Sequence, residues 1–162
     1  MKLYSKLIKT PLGIIKAFAN DDYLLALDFI DSKYFDKNIP SNFSQQGNGI
    51  LKLTEKELTL YFKGELKKFS IPLQFSGTEF QKMIWSDLMK IPYGHTISYQ
   101  QQAENIGNLK AIRAVANANS KNKIVIIVPC HRVIGKSQQL TGYAGGLDRK
   151  AFLLNLEKNH FQ

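Results

Sequence analysis

Cys130 and His131 stand side by side in the tetrapeptide Pro129-Cys130-His131-Arg132, and Cys130 is the sole cysteine of the chain. The thiolate rather than the thiol is the nucleophile, and a free cysteine, with a pKa near ~8.5, needs a proton acceptor to react at neutral pH. An adjacent imidazole offers one, directly or through a water bridged in a turn after Pro129. Sequence neighbours often point apart, and a lone cysteine is also a small buried hydrophobe, so the pair alone leaves both readings open. The other histidines, His95 and His160, supply no metal-ligand spacing. One thiol can form neither an internal disulfide nor a Cys-rich zinc site, so no metal is expected.

The elements that must position this pair follow from the surrounding pattern. Residues Ile124 to Val128 are a continuous apolar run of strand length, which predicts a buried strand delivering Cys130 at its end. Gly135 to Gly142 is polar and turn-rich, and Tyr143-Ala144-Gly145-Gly146 predicts a loop able to approach a ligand closely. Leu147 to Lys158 reads as an amphipathic helix with Leu147, Ala151, Phe152 and Leu154 inward. Upstream, Ser98-x-x-Gln101 is a capping box opening a short helix to Asn105, Gly107 breaks it, and Asn108 caps a second helix over Leu109 to Asn119. Two short helices across a tight Gly-containing turn suggest a helix-turn-helix. Lys110, Arg113 and Asn117 share one stripe of the second helix, which suits a DNA-facing surface or a solvated polar face equally. Before it, Ser76-x-x-Glu79 and Thr78-x-x-Gln81 are overlapping capping boxes. They lead into Phe80, Ile84, Leu88 and Ile91 at helical spacing, stopped by Pro92-Tyr93-Gly94.

The first half is patterned differently. Leu3 to Ile8 is short and mixed, and Gly13 to Ala19 and Tyr23 to Phe29 are β-rich. With turn signals at Thr10-Pro11-Leu12-Gly13 and Asn20-Asp21-Asp22, together they predict a three-stranded antiparallel meander. Residues 31–49 are polar and read as a long loop or a frayed surface helix. Thr54-x-x-Glu57 predicts a helix start, with Leu58, Tyr61 and Phe62 on one face and a stop at Gly64, and Lys68 to Phe75 reads as a connector. The expected fold is α/β, more narrowly α+β. Residues 1–75 would form a small antiparallel sheet with a helix, and residues 76–162 a mostly helical domain with the helix-turn-helix.

Hydrophobic residues make up 44% of the 162, enough for a real core. The formal charge of +9 favours polyanionic partners such as nucleic acid. No apolar run approaches the ~20 residues that span a bilayer, so no membrane association is expected. The basic Met1–Lys6 start is followed by no signal-peptide core, and a cytoplasmic location is expected. No glycine-rich strand-turn-helix nucleotide fingerprint is present.

Several ordered motifs carry a family resemblance. Gly77-Thr78-Glu79-Phe80-Gln81, Trp85, Ile91-Pro92-Tyr93-Gly94, Thr96-Ile97-Ser98-Tyr99, Ala111-Ile112-Arg113-Ala114-Val115, Asn122 and Pro129-Cys130-His131-Arg132-Val133-Ile134 are joined by Gly142-Tyr143-Ala144-Gly145-Gly146 and Leu153-Leu154-x-x-Glu157. Together they resemble the O6-alkylguanine-DNA alkyltransferases, also called methylated-DNA–protein-cysteine methyltransferases, strongly over residues 77–158 and in outline before that. The resemblance implies direct reversal of DNA damage: one irreversible transfer of an alkyl group from O6-alkylguanine in double-stranded DNA to Cys130. It implies that His131 takes the thiol proton, Glu157 orients the imidazole, Asn122 holds the turn carrying the cysteine, and Tyr99 crowds the target phosphate and donates to the guanine. Arg113 would fill the stack vacated by a flipped base, with Lys110 and Asn117 beside it in the minor groove. Val128, Tyr143, Ala144 and Gly145 would line the guanine pocket, whose size depends on side chains around Tyr143 and Gln138-Gln139. No cofactor, and no S-adenosylmethionine site, is implied, and a monomer is expected.

The chain departs from the family pattern at Ala116, where Gly is common, and at Lys123, where Pro commonly follows the Asn. Both changes are backbone-sensitive and neither removes a reacting group. Family variants with a metal-bearing N-terminal domain or a Cys-rich second domain are not expected with Cys130 as the only thiol. A related group carries Trp in place of the cysteine and only binds lesions, which Cys130 argues against. Two alternatives remain: a non-catalytic DNA-lesion binder, which needs Tyr99 and Arg113 but not Cys130, and a thiol hydrolase, which needs Cys130 and His131 but no helix-turn-helix.

Overall fold

The computed structural model describes residues 2–35, 43–45, 47–136 and 139–162. Gln138 and most of the polar 31–49 stretch, residues 36–42 with Gln46, lie outside the described residues. The chain divides into two compact units, Met1–Ser76 and Gly77–Gln162.

In the first unit, β1 (Tyr4–Thr10), β2 (Gly13–Ala19) and β3 (Leu24–Phe29) form the antiparallel meander expected, in spatial order β1-β2-β3. The register pairs Ile8 with Ile15 and Ile15 with Phe29, so Ile8, Ile15, Ala17, Leu27 and Phe29 are buried together. The β2–β3 turn is set by Asn20, whose Oδ1 accepts from Asp22 N–H (2.9 Å) and Tyr23 N–H (2.7 Å). Helix α1 (Gly49–Phe62) packs against β1 and β2 and buries Leu51, Leu58 and Tyr61. Each such side chain stabilises by about 1.5–3 kcal/mol relative to exposure.

The helix begins earlier than the Thr54 signal suggests. Asn48 is the N-cap, accepting from Leu51 N–H at 2.9 Å. Thr54 sits one turn inside, donating to the Ile50 carbonyl (2.8 Å), and Glu57 is buried with both oxygens on Ser70, N–H and hydroxyl each at 2.7 Å. Glu57 of the capping pattern therefore tethers the connector, while Thr54 bonds back within its own helix. That connector is partly ordered by the sheet edge, with Leu24 N–H on Pro72 O (2.9 Å) and Gln74 N–H on Leu24 O (3.1 Å).

The second unit is mostly helical, and the α+β class holds for the chain. Helix α2 (Glu79–Leu88) opens on a complete capping box between Thr78 and Gln81 and buries Ile84, Trp85 and Leu88. Ile91 is buried as its spacing implied, but beyond the helix end. A short parallel pair, β4 (Ile97–Ser98) with β5 (Val133–Ile134), precedes α3 (Tyr99–Asn105). Ser98 caps α3 by accepting from Gln101 N–H (3.0 Å), but the Gln101 side chain turns to Asn105 (2.9 Å), so the reciprocal half of the box is spent elsewhere. Asn108 caps the second helix, accepting from Lys110 N–H (3.1 Å). Its first turn, Leu109–Ala111, is 3-10, and α4 proper spans Ile112–Ser120. Trp85 Nε1–H donates to Ala118 O (2.9 Å) and ties α2 to α4. Ile84, Ala103, Val115 and Ala118 form the core beneath the helix-turn-helix. The last helix, α5 (Leu147–Asn159), runs the full length expected.

Two expectations fail here. Residues 124–128 are buried but are not a strand. Val128 N–H returns to Ile124 O (3.0 Å) and Ile127 N–H to Val125 O (2.8 Å), folding the segment into a compact turn. An apolar run fixes burial, not extension. The inward stripe of α5 is Lys150, Leu153 and Glu157, while Leu147 is 48% and Phe152 38% exposed. Two charged side chains occupy the positions where an apolar stripe is normally read.

Candidate active site and nucleic-acid interface

The turn that carries Cys130 is built around Asn122. Its Oδ1 accepts from Ile124 N–H (3.0 Å), and its Nδ2 donates to Val128 O (2.8 Å) and to Cys130 Sγ (3.2 Å). Cys130 N–H also returns to Val128 O (2.9 Å), so that carbonyl is engaged twice. Inside this turn Ile126 adopts φ 73°, the only non-glycine residue with positive φ among those described. For a β-branched residue that conformation costs about 1–3 kcal/mol and persists only where the surroundings over-determine it. The buried apolar run and the Asn122 bonds supply that constraint, and the exposed Lys123 needs no proline to hold it. Cys130–Arg132 then form a single 3-10 turn with all three side chains buried.

The 3-10 turn points His131 at α5. Its Nε2 lies 2.6 Å from Glu157 Oε2. Glu157 also accepts from Arg132 Nε (2.8 Å) and Nη2 (3.1 Å) and from Gly94 N–H (3.2 Å), and Arg132 Nη1 reaches Ile91 O (2.7 Å). Burial alone would raise the Glu157 carboxyl. The hydrogen bond from His131 and, in the acid range where the imidazole is itself protonated, its charge, then the bonds and charge of Arg132, outweigh it and hold the group well below the usual carboxylate range. Burial pushes His131 below its ordinary value, Glu157 pulls it back in part, and the cations Arg132 and Lys150 push it down again. The resting state is thus an ionised Glu157 balanced by Arg132 and a neutral His131. An ionised carboxylate only accepts, so His131 Nε2 carries the proton and Nδ1 holds the free lone pair. That Nδ1 is buried and has no hydrogen-bond partner among the described residues. Gly94, at φ 79°, lies under Phe161, and a Cβ there would fall 2.3 Å from the ring.

The second wall is formed by Tyr99 and the loop before α5. Tyr99 Oη–H donates to Thr141 O at 2.9 Å, and burial raises the Tyr99 phenol. Lys150 Nζ donates to the same carbonyl at 2.7 Å. Tyr143, Ala144 and Gly145 are half-buried, and the loop is closed by Gly146 N–H on Tyr143 O (2.9 Å) and by Arg149 on Gly145 O (3.1 Å).

Lys110, Arg113 and Asn117 are exposed along one side of α4 and its first turn, flanked by exposed Leu109, Ile112 and Ala114. The opposite side of α4 is fixed by a buried reciprocal amide pair: Gln102 Nε2 to Asn119 Oδ1 (2.8 Å) and Asn119 Nδ2 to Gln102 Oε1 (2.7 Å). The structure therefore brings Cys130, His131, Asn122 and Glu157 into one bonded cluster and sets Tyr99 against the loop of Thr141 to Gly145. It leaves Lys110, Arg113 and Asn117 as a separate exposed face. Sequence reasoning missed Arg132 and Lys150. Arg132 stood inside the quoted motif without a role. Lys150 shares the i, i+3, i+7 stripe with Leu153 and Glu157, a signal hidden by the expectation that such a stripe is apolar. Among the described residues no group of three His, Cys, Asp or Glu is placed to hold a metal ion, and no helix is long and apolar enough to cross a membrane.

These features define an α+β protein whose helix-turn-helix shares one unit with a buried cysteine–histidine–glutamate cluster. Residues 3–75 match the family model described as the ribonuclease-like domain of 6-O-methylguanine DNA methyltransferase, and residues 79–159 match that of its DNA binding domain. The chain belongs to that family. A methylated-DNA–protein-cysteine methyltransferase of Methanosarcina acetivorans is 44% identical over 155 residues, covering 96% of this chain and 98% of the relative. The constitutive enzyme of that name from Bacillus subtilis is 42% identical over 157 residues, covering 96% and 95%. Among solved structures, the Mycobacterium tuberculosis OGT in complex with DNA superposes with a TM-score of 0.89 at 39% identity, covering 97% of this chain and 94% of that one.

Proposed function

We propose that this chain repairs DNA by moving an alkyl group from O6 of guanine onto its own Cys130, once per molecule. The observation that carries the reading is the His131–Glu157 contact of 2.6 Å, which leaves the buried Nδ1 lone pair available on the turn that holds Cys130. A base oriented by a carboxylate beside a nucleophile is the arrangement nucleophilic catalysis requires.

In this reading the second unit binds double-stranded DNA through α4, with Arg113, Lys110 and Asn117 in the minor groove. Minor-groove readout is degenerate in sequence and so suits a damage scanner. The modified base is flipped out because its O6 substituent cannot be reached inside the duplex, and Arg113 fills the gap. Val128 and the Tyr143–Gly145 loop receive the base. His131 Nδ1 takes the Cys130 proton through a water, and Asn122 Nδ2, 3.2 Å from Sγ, stabilises the thiolate. Sulfur attacks the alkyl carbon. The S–C bond forms as the C–O6 bond breaks, the electron pair leaves with O6 onto the purine, and Tyr99 donates to the purine ring. The thioether product offers no leaving group, so the reaction is irreversible and needs no cofactor. The chain acts as a cytoplasmic monomer, with residues 1–75 and 76–162 as separate domains.

Intact-protein mass spectrometry tests this after incubation with a short duplex bearing one O6-methylguanine, with Cys130→Ala as control. The expected result is a stoichiometric gain of one methyl, absent in the variant. Tight binding without mass gain would replace the reading with that of a lesion binder.

A further inference from the structure

Strand β1 forms one edge of the three-stranded sheet. Its hairpin to β2 pairs Thr10 with Gly13 across a tight turn, then Ile8 with Ile15. In such a hairpin the residues flanking the turn exchange both backbone bonds, and the alternation continues along the strand. The N–H and C=O groups of Ser5, Leu7 and Lys9 therefore face away from β2. Ser5 fixes this phase, because its N–H reaches outward to Ser44 O (2.8 Å) while Ser44 N–H meets Leu3 O (2.9 Å). Past that contact, among the described residues no segment bonds to the outward backbone groups of Leu7 and Lys9. An open edge of this kind is a template for an added strand.

The same edge borders a cavity of about 210 Å³ between the end of β1 and the last turns of α1. Buried Ile8 and Leu58 and half-buried Phe62 give it an apolar lining. It is smaller than the ~300–1,000 Å³ of small-molecule sites and suits one large apolar side chain. Exposed Lys9 and Lys63 also line it, and among the described residues no carboxylate does. Glu55, one turn back on α1, is already paired with Lys6 at 3.4 Å. A strand laid along β1 sends alternate side chains to opposite faces, one toward the cavity and its neighbours toward the face that carries Lys9. Lysines alone can blunt an edge against aggregation, but that purpose needs no apolar cavity beside the strand.

We propose that the groove between β1 and the end of α1 is a docking site for an extended acidic peptide of a partner protein, which adds a strand to β1 and seats one large apolar side chain in the cavity. Backbone bonds to Leu7 and Lys9 supply affinity, the cavity selects the apolar residue, and Lys9 and Lys63 select acidic neighbours. The site lies in the unit that does not carry Cys130, so it is independent of the transfer reading.

The probe is a synthetic peptide of about seven residues in which aspartate alternates with leucine, the length of a common strand. Fluorescence anisotropy measures its affinity for the full chain, and amide hydrogen exchange locates it. The peptide is expected to bind and to slow exchange at Leu7 and Lys9 by about tenfold or more. N-methylating alternate residues removes the N–H groups along one edge of the peptide, and one of the two phases should weaken binding about tenfold. Lys9→Glu combined with Lys63→Glu should weaken it about tenfold as well, whereas Lys9→Arg with Lys63→Arg should not. Thr59→Trp, which places an indole at the cavity, should also abolish most of the affinity. Each variant should take up methyl from the lesion duplex at the wild-type rate. If the charge-reversed chain does not fold, Lys9→Gln with Lys63→Gln carries the same comparison. Failure of the peptide to bind, equal binding of a lysine–leucine peptide, or an affinity unmoved by N-methylation in either phase would each overturn the proposal. Protection of Leu7 and Lys9 by duplex DNA in place of the peptide, or protection that rises with protein concentration alone, would assign the edge to another occupant and overturn it too.

Discussion

His131 and Glu157 show how two buried groups at 2.6 Å divide their charge. Because burial outweighs the pull of Glu157, His131 titrates below its ordinary 6.5 and is a neutral base throughout the neutral range. The rate of methyl transfer should therefore hold steady around pH 7, where Lys150 also keeps its proton, and fall on acidification only below 6.5, a profile readable by single-turnover mass spectrometry. A fall already centred near pH 7 or above would mean an imidazolium at rest. The same shifts act on stability with one sign. Both folded-state values are depressed, so the unfolded chain takes up protons first. The His131 contribution is present above 6.5 and that of Glu157 above 4.5, and each is lost as pH falls. Glu157→Gln leaves the buried Arg132 guanidinium without its counter-charge. Breaking such a pair costs about 3–5 kcal/mol, and urea unfolding at pH 7 should show a loss of that order. The reacting residues themselves were legible, because Pro129-Cys130-His131-Arg132 and Leu153-Leu154-x-x-Glu157 are local strings. Arg132 and Lys150 were not, since their partners, Ile91 O and Thr141 O, are backbone atoms brought near by folding alone.

Helices α2, α3 and α4 were legible because caps and breakers are local chemistry. The Thr78–Gln81 box, Ser98 and Asn108 all cap where the sequence places them. The failures share a cause, in that a local signal had a second use. Thr54 and Glu57 form a capping pattern, but Asn48 caps the helix six residues earlier and frees Glu57 to hold Ser70. Ile124 to Val128 is as apolar as a strand, but Asn122 captures the Ile124 N–H and Val128 O that a strand would offer to a neighbour. The α3–α4 register depends on a pair no periodicity shows, the Gln102–Asn119 amides, which satisfy each other in the core. Gln102→Leu strands the Asn119 amide and should cost about 1–3 kcal/mol in unfolding experiments. Replacing both residues with Leu should recover most of that, because no polar group is then left unsatisfied. Equal losses in the single and double variants would show that the pair contributes packing alone.

Across the whole chain, charge and chemistry fall in the same unit. Residues 77–162 hold 11 Lys and Arg against 5 Asp and Glu, whereas residues 1–76 hold 11 against 8. The unit that carries Cys130 thus holds the larger net positive charge and attracts a polyanion more strongly. Its stability is also tied to the state of one atom. Cys130 is buried in a turn that already holds Ile126 at positive φ, and its sulfur accepts from the Asn122 amide that also holds Val128 O. A methyl on that sulfur adds volume where packing is close and takes space beside the amide. Overpacking of this kind costs about 1–3 kcal/mol. In a chain of this length each kcal/mol lowers the melting temperature by about 2–4 °C. The methylated protein should therefore melt measurably below the unreacted one in a side-by-side thermal scan, and Cys130→Ala, which removes volume instead, should not respond to the lesion duplex beyond the effect of binding. An unchanged melting temperature after complete methylation would mean that the turn yields without strain. The strain at Ile126 would then be held by the apolar run around it and not by the Asn122 bonds.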